Sequence, residues 1–449
     1  MTDRNKILEL FDSQTENLSK QVNSGIEKYR KGKVQITLSD SDGNAVKNAS
    51  VKIIQQAHHF RFGANIFMLG ELETPEKNEK YEKYFQELFN MATVPFYWDA
   101  LEPEKGRPRY DKNSPRVYRR PAPDLCLEFC EKHGIEPREH ALAYDAFFPK
   151  WLYNSTVKEI KKELERRFYE ISGRYADKIP TIEVTNEMEW EKGKTAFYDE
   201  PDFVEWCFKL AEKYFGNNEL VINEHTGLAW EDRCRATDKY YAYTEAAMLK
   251  GARIDAIGMQ YHLFNRRENE YQNTRKTLDP ENLYRHLDLY SGLGKPLQIT
   301  EITVPSYSWN PDDEEIQAKV LRLLYSLWFS HPAVEQIIYW NLTDGYAYVQ
   351  DSNEAAIKAS QGNMTVGENY YYGGLLRFDM SPKPAYLTLR DLIKKQWHTE
   401  SESISDADGK TNLRGFYGNY KAEIKVNGKV QTKDFSITKG KENNYNFTV

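Results

Sequence analysis

A chain of 449 residues is longer than one small core serves, so one large domain with a smaller appendage is expected. The formal net charge of -7, with no run of Lys and Arg interleaved with aromatics, excludes nucleic acid as the main partner, because phosphate binding needs a concentrated cationic face. No apolar stretch reaches the roughly 18 residues of a membrane span, and Cys126, Cys130, Cys207 and Cys234 follow no metal or disulfide spacing and read as free, buried thiols.

The N-terminus, MTDRNKILELFDSQTENLSK, has no signal-peptide stretch; the chain reads as cytoplasmic as given, or extracellular or periplasmic if a leader was trimmed. Ile7, Leu8, Leu10, Phe11, Leu18 and Val22 recur at helical spacing, which predicts an amphipathic helix within 1–32 that packs on another element. In 33–60, two alternating runs flank Asp40-Ser41-Asp42-Gly43-Asn44, a β-hairpin signature. A second β-rich stretch fills 398–449, with a hairpin turn at Asn427-Gly428. Isolated hairpins are marginal in water, so the two terminal segments are expected to pair into one small β-sandwich-like module. His58 and His59 have no ligand cluster nearby and read as structural.

Between them, over 61–397, β-type runs alternate with helical patterns. STVKEIKKELERRFYEISGRYAD precedes PTIEVTNE, DFVEWCFKLAEKYFG precedes ELVINEH, and ENLYRHLDLYSGLG precedes KPLQITEI. This alternation predicts parallel βαβ units, and the stretch is long enough for eight. Polar residues fall repeatedly at the C-terminal ends of the strands: His140, Asn186, Glu187, Asn223, Gln260, His262, Glu301 and Trp340. In a (β/α)₈ TIM barrel those positions converge on one mouth. Glu187 and Glu301, on different strands, form the acid pair that glycosidic cleavage requires, one to protonate the leaving oxygen and one to attack or to activate water.

The order and content of these pieces resemble glycoside hydrolase family 10, the xylanase family. The matching stretches are FRFGANI (60–66), FN (89–90), WDALEPEKG (98–106), EHALAYDAFFPKWL (139–152), IEVTNE (182–187), LVINEH (220–225), IGMQYHL (257–263), QITEI (298–302), IYWNLTDG (338–345) and GGLLRFDMSPKPAY (373–386). The resemblance implies a retaining, endo-β-1,4-xylanase-like hydrolase of β-linked oligo- or polysaccharides, with Glu187 as acid/base, Glu301 as nucleophile and no metal or organic cofactor. It further implies that Asn186 bonds the sugar 2-OH, Gln260 and His262 flank the nucleophile, His140 lines the subsite beside the cleavage point and Trp340 lies under the sugar. Tyr97, Trp98 and Asp145 are expected to join the substrate-binding set. Trp190, just beyond the acid, is a candidate stacking residue for the leaving group, and Glu189 borders the same loop.

The sequence departs from the family where Val94-Pro95-Phe96-Tyr97 replaces an Asn and a Lys that hold sugar hydroxyls, so an aromatic, apolar surface is expected in place of a polar grip. Tyr144-Asp145 stands for the usual Trp-His, Ile182-Glu183 for Trp-Asp, and Asn341 for the Gly after the strand-8 Trp. Glu183 reads either as a ligand contact or as half of an ion pair inside the barrel. These departures leave open a retaining β-glycosidase for another sugar, and a barrel that binds glycans without cleaving them.

Overall fold

A computed structural model describes residues 3–189, 193–349 and 353–449. The chain enters through a 3₁₀ segment at Asp3–Leu8 and the helix Thr15–Tyr29. The helical stretch expected as one piece is broken near Gln14, where the backbone leaves helical geometry. It nevertheless lies on the barrel. Arg4 reaches Glu270 at 2.9 Å and Asp313 at 3.1 Å, and Gly25 sits so close to the helix Pro311–Ser330 that an added Cβ would come within 2.5 Å of the Ser330 carbonyl oxygen.

Strands β1 (Lys31–Ser39) and β2 (Ser50–His58) follow. The turn at Asp40–Asn44 forms, with Gly43 at φ +84°, but the two strands do not form the hairpin expected of them. The chain instead arches from one sheet to another through residues 40–49. Alternation reports which side chains face a core, and both strands do face the same small core; it does not report which strand supplies the hydrogen bonds.

The central stretch forms β3 (Arg61–Asn65), β4 (Met91–Pro95), β5 (Glu136–His140), β6 (Thr181–Asn186), β7 (Glu219–Glu224), β8 (Ala256–His262), β9 (Leu297–Thr303) and β10 (Val334–Tyr339). All eight are parallel and close into a barrel in chain order, with β10 pairing both β9 and β3. Helices cover the outside. The helix Val157–Tyr175 starts with a capping box, in which the Thr156 hydroxyl accepts from the Glu159 amide and the Glu159 carboxylate accepts from the Thr156 amide. It buries Ile160, Leu164, Phe168 and Ile171 along one face. Strands β4, β6 and β9 are buried at every residue, as parallel strands covered on both faces must be.

The floor of the barrel is polar. Arg61 lies 2.9 Å from Glu136, 3.3 Å from Glu219 and 3.5 Å from Glu335, and Gln298 donates to both Glu219 and Glu335. Below it, β11 (Glu400–Ile404), β12 (Lys410–Phe416), β13 (Gly418–Val426), β14 (Lys429–Ile437) and β15 (Asn444–Thr448) join the two N-terminal strands. One sheet runs β12-β1-β15 and the other β11-β2-β13-β14, so both ends of the chain share one module. Between β13 and β14 the turn residues Asn427 and Gly428 both have positive φ, which two-residue hairpins of this hand require.

Aromatic contacts tie module to barrel: Phe416 of β12 lies 6.1 Å from Phe329, which stacks on Trp397 at 4.3 Å, and Trp397 lies 5.7 Å from Phe62, ring to ring. His58 bonds the Trp397 carbonyl there, and burial pushes its imidazole down to about 4, so it is a neutral structural residue. Cys126, Cys130 and Cys207 are buried free thiols; Cys234 departs from the expectation and is only half-buried. Among the described residues no helix is long and apolar enough to cross a membrane.

Candidate active site

A cavity of about 680 Å³ opens at the C-terminal ends of the barrel strands. Another, of about 530 Å³, lies at the opposite end where Tyr29, Arg30, His58 and Tyr417 line the junction with the terminal module. The paired carboxylates open only into the former. Glu187 and Glu301 reach it, and so do Asn186, His140, Gln260, His262, Trp340 and Tyr97.

Successive residues of a strand face opposite ways, yet Asn186 and Glu187 both line the cavity. Two local features permit this. The pairing of β6 with β7 slips between Glu183 and Thr185, and Glu187 itself turns out of the strand at φ +49°, a conformation uncommon for a side-chain-bearing residue. The loop after it is anchored by Glu224, which accepts from the Met188 amide at 2.9 Å, the Glu189 amide at 3.3 Å and the Tyr243 hydroxyl at 2.6 Å on one oxygen, and from the His225 amide on the other. Burial pushes the Glu224 carboxyl up to about 8 against the pull of these donors.

The two acids occupy the ends of one hydrogen-bonded chain. Glu187 accepts from Gln260 Nε2 at 3.0 Å and from the Tyr144 hydroxyl at 2.5 Å. Gln260 also donates to Asn186 Oδ1 at 3.2 Å, Asn223 donates to the same oxygen at 2.9 Å, and Asn223 donates to Glu301 Oε1 at 3.1 Å. The second oxygen of Glu301 faces His262 Nε2 at 3.2 Å, while His262 Nδ1 meets the Thr303 hydroxyl at 2.9 Å. Burial drives His262 down to about 4, so it is neutral and donates Nε2–H to Glu301. Both bonds on the Asn186 side chain end at Oδ1, which leaves its amide nitrogen to the cavity.

Beneath the pair lies a charged layer. Arg138 contacts Glu183, and His140 Nδ1 donates to the other Glu183 oxygen at 2.8 Å, all three side chains being fully buried. Burial favours neutral Glu183, but the charges of His140 and Arg138 overcome it and hold the carboxyl below its ordinary range. Likewise burial opposes a charged His140, and Glu183 outweighs it, raising the imidazolium. Glu183 therefore takes the ion-pair role rather than the ligand-contact role. Glu301 has no such pairing. Burial is the largest influence on it and pushes it up to about 8, with His140 pulling down and Glu183 and Glu187 adding to the rise. Among the described residues, His140, Glu183 and Glu301 are the only grouping with metal-ligand spacing, their ligand atoms lying within 4.8 Å of one another. There Arg138 and His140 already engage both Glu183 oxygens, which makes it a hydrogen-bonded ion-pair layer.

Two expected substrate-binding residues do not reach the cavity. Trp98 is 2 % exposed, donates to Glu102 and packs on Phe148 and Trp151, filling the wall behind the mouth. Asp145 is buried and accepts from the Thr195 amide and hydroxyl and the Lys194 amide, so it fastens the 193–195 loop. Glu189 pairs with Lys239 at 3.0 Å, and Trp190 lies outside the described residues. Tyr97 does line the cavity; its hydroxyl meets His140 Nε2 at 2.9 Å, and it clusters with Phe67 and Trp340.

The apolar surface expected at Val94–Tyr97 is also corrected. Arg119 and Arg120 enter the cavity from the loop between β4 and β5, and the Arg120 guanidinium lies 3.6 Å from the centre of the Tyr97 ring. These residues, with Tyr144 and Glu368, were missed. Only Tyr144 carried a signal, as part of the Tyr144-Asp145 pair that stands for the family's usual Trp-His; the arginines sit in a stretch with no periodicity.

A family model described as Glycosyl hydrolase family 10 matches residues 53–391. The chain belongs to this family. Among curated relatives of this family-10 chain, the anti-sigma-I factor RsgI6 of Acetivibrio thermocellus is 26% identical over 437 residues, 96% of this chain and 49% of that protein. Endo-1,4-beta-xylanase 1 of Arabidopsis thaliana is 25% identical over 410 residues, 89% of this chain and 37% of that one. The chain thus spans half or less of the length of these relatives. The solved xylanase 10B of Thermotoga petrophila in complex with xylobiose superposes with a TM-score of 0.57 at 20% identity, covering 75% of this chain and 95% of that one, a likeness of fold.

Proposed function

We propose that this chain is a retaining O-glycoside hydrolase acting on β-linked, xylan-like oligo- or polysaccharides, with Glu187 as acid/base and Glu301 as nucleophile. One observation carries the reading: the two glutamates come from different strands and are held at opposite ends of the chain Glu187, Gln260, Asn186, Asn223, Glu301 inside the barrel mouth. The xylanase names among the relatives supply the substrate class.

In the first step the Glu301 carboxylate attacks the anomeric carbon while Glu187 gives its proton to the departing oxygen. In the second, Glu187 takes a proton from water, the water oxygen attacks the same carbon, and Glu301 leaves as carboxylate. Asn223 and His262 fix both Glu301 oxygens, so the attacking lone pair is oriented before substrate arrives. The Asn186 amide is placed to donate to a hydroxyl of the bound sugar. A barrel that binds without cleaving has no need of two carboxylates held in this way, which disfavours that alternative.

The test follows the anomeric configuration of products by NMR during hydrolysis of aryl β-glycosides and β-linked polysaccharides by the wild type and Glu301→Ala. Retained configuration, abolished in the variant, is expected. An inverted product, or unimpaired turnover by the variant, contradicts the assignment.

A further inference from the structure

Two buried guanidinium groups in the cavity wall have no ion-pair partner among the described residues. Arg119 and Arg120 are 3 % and 8 % exposed. Arg119 sits at φ +60°, a conformation a long side chain seldom adopts without a reason. Its Nη1 donates to Asn341 Oδ1 at 2.9 Å and to the Tyr346 carbonyl at 2.6 Å, while its Nε is buried with no acceptor. Arg120 donates Nη1 to the Arg119 carbonyl at 3.0 Å and otherwise lies over Tyr97. The nearest acids do not neutralise them by contact. Glu368 acts on Arg119 only from beyond ion-pair distance and has its own Oε2 buried without a donor. Asp99, which faces Arg120, also has a buried oxygen without a partner, and burial drives its carboxyl toward the neutral form.

A buried cation left unpaired is expensive, and proteins retain one where a ligand completes it. A guanidinium is planar and matches a carboxylate through two parallel hydrogen bonds. Its position also decides which part of a glycan it meets. Tyr97, under Arg120, bonds His140 and packs through Phe67 on Trp340, whose ring lies against His262, the partner of Glu301, whereas the leaving group departs past Glu187.

We propose that Arg119 and Arg120 bind the carboxylate of a uronic-acid-bearing glycan at the glycone end of the cavity. This rests on the glycosidase reading above and narrows its substrate class. The carboxylate belongs either to the sugar being cleaved or to a uronyl branch on its neighbour, and the two are separable.

The experiment uses pairs of ligands that differ by one carboxylate: an aryl β-glucuronide against the aryl β-glucoside, and a glucuronyl-branched xylo-oligosaccharide against the unbranched one. Each is titrated into the full chain by calorimetry at low and high salt, and kcat/KM is measured for each. Preference for one acidic member by about tenfold to a hundredfold is expected, weakened by salt and collapsing in Arg120→Gln. Preference within the aryl pair assigns the carboxylate to the cleaved sugar, and within the branched pair to a neighbour. If wild-type protein binds both acidic members no better than the neutral ones, the proposal is overturned, however the variant behaves. Tight carboxylate-dependent binding without turnover supports the proposal and refutes hydrolysis; turnover of neutral members alone does the reverse.

Discussion

Replacing Glu301 by Gln should stabilise the protein at alkaline pH and leave it unchanged in acid. The native carboxyl is raised from 4.5 to about 8, so between those values the folded state holds a proton that the unfolded state has lost. Stability from this group is therefore full below pH 4.5 and declines as pH rises through 8. Each unit is about 1.4 kcal/mol, so the wild type forgoes up to roughly 5 kcal/mol at pH 9. The amide has no charge to bury, and it keeps both neighbours, accepting from Asn223 and, with the neutral His262 ring shifted to its Nδ1–H tautomer that donates to Thr303, donating to His262 Nε2. With an unfolding entropy of roughly 2 cal/mol/K per residue, a chain of 449 residues converts this into a Tm gain of about 3–5 °C. Thermal unfolding of both proteins from pH 4 to pH 9 reads the difference directly, since every other titrating group is common to the pair. A difference that stays flat with pH, or that favours the wild type at pH 9, would refute the assignment of an uncompensated buried carboxyl. The same shift has a kinetic face: a nucleophile must be ionised, so kcat/KM should rise with pH along a limb above the usual carboxylate range.

Glu224→Ala should lower kcat by about tenfold to a hundredfold, measured by steady-state kinetics, because the backbone that follows Glu187 loses the acceptor for its Met188 and Glu189 amides; unchanged kcat would remove the positioning role. Lys383→Met leaves Asp344 unpaired where both side chains are fully buried 2.7 Å apart, and should cost about 3–5 kcal/mol in denaturant unfolding. Trp397→Ala, which empties the stack between barrel floor and terminal module, should cost a similar amount, about 3–5 kcal/mol. A loss below 1 kcal/mol in that assay would mean that the stack contributes little to holding the module.

Much of the site was legible because a parallel barrel converts one-dimensional order into convergence. A polar residue that ends a buried β-type run lands at the mouth, and for Glu301, Gln260, His262 and His140 nothing more was needed, whereas Glu187, one residue past β6, reaches it only through its turn at φ +49°. Residues beyond the strand end escape this rule. Trp98 and Asp145 lie one loop past β4 and β5, where the direction of a side chain depends on turns that the pattern does not encode. Arg119 and Arg120 come from the loop before the helix Pro123–His133, whose course is set by buried carbonyl contacts rather than by periodicity. The terminal module shows the same division: Asn427-Gly428 dictates a two-residue hairpin locally, whereas β1 and β2 are partnered by strands some 350 to 400 residues away and so read wrongly as a hairpin.

Double displacement requires that Glu301 become covalently attached to the sugar. Incubation with an activated 2-deoxy-2-fluoro aryl β-glycoside, which slows the second step more than the first, followed by proteolysis and mass spectrometry, tests it directly. A single adduct is expected on the peptide containing QITEI, at Glu301, and none in Glu301→Gln. An adduct at another carboxylate, or steady turnover of ordinary substrates with no adduct at any time, contradicts it.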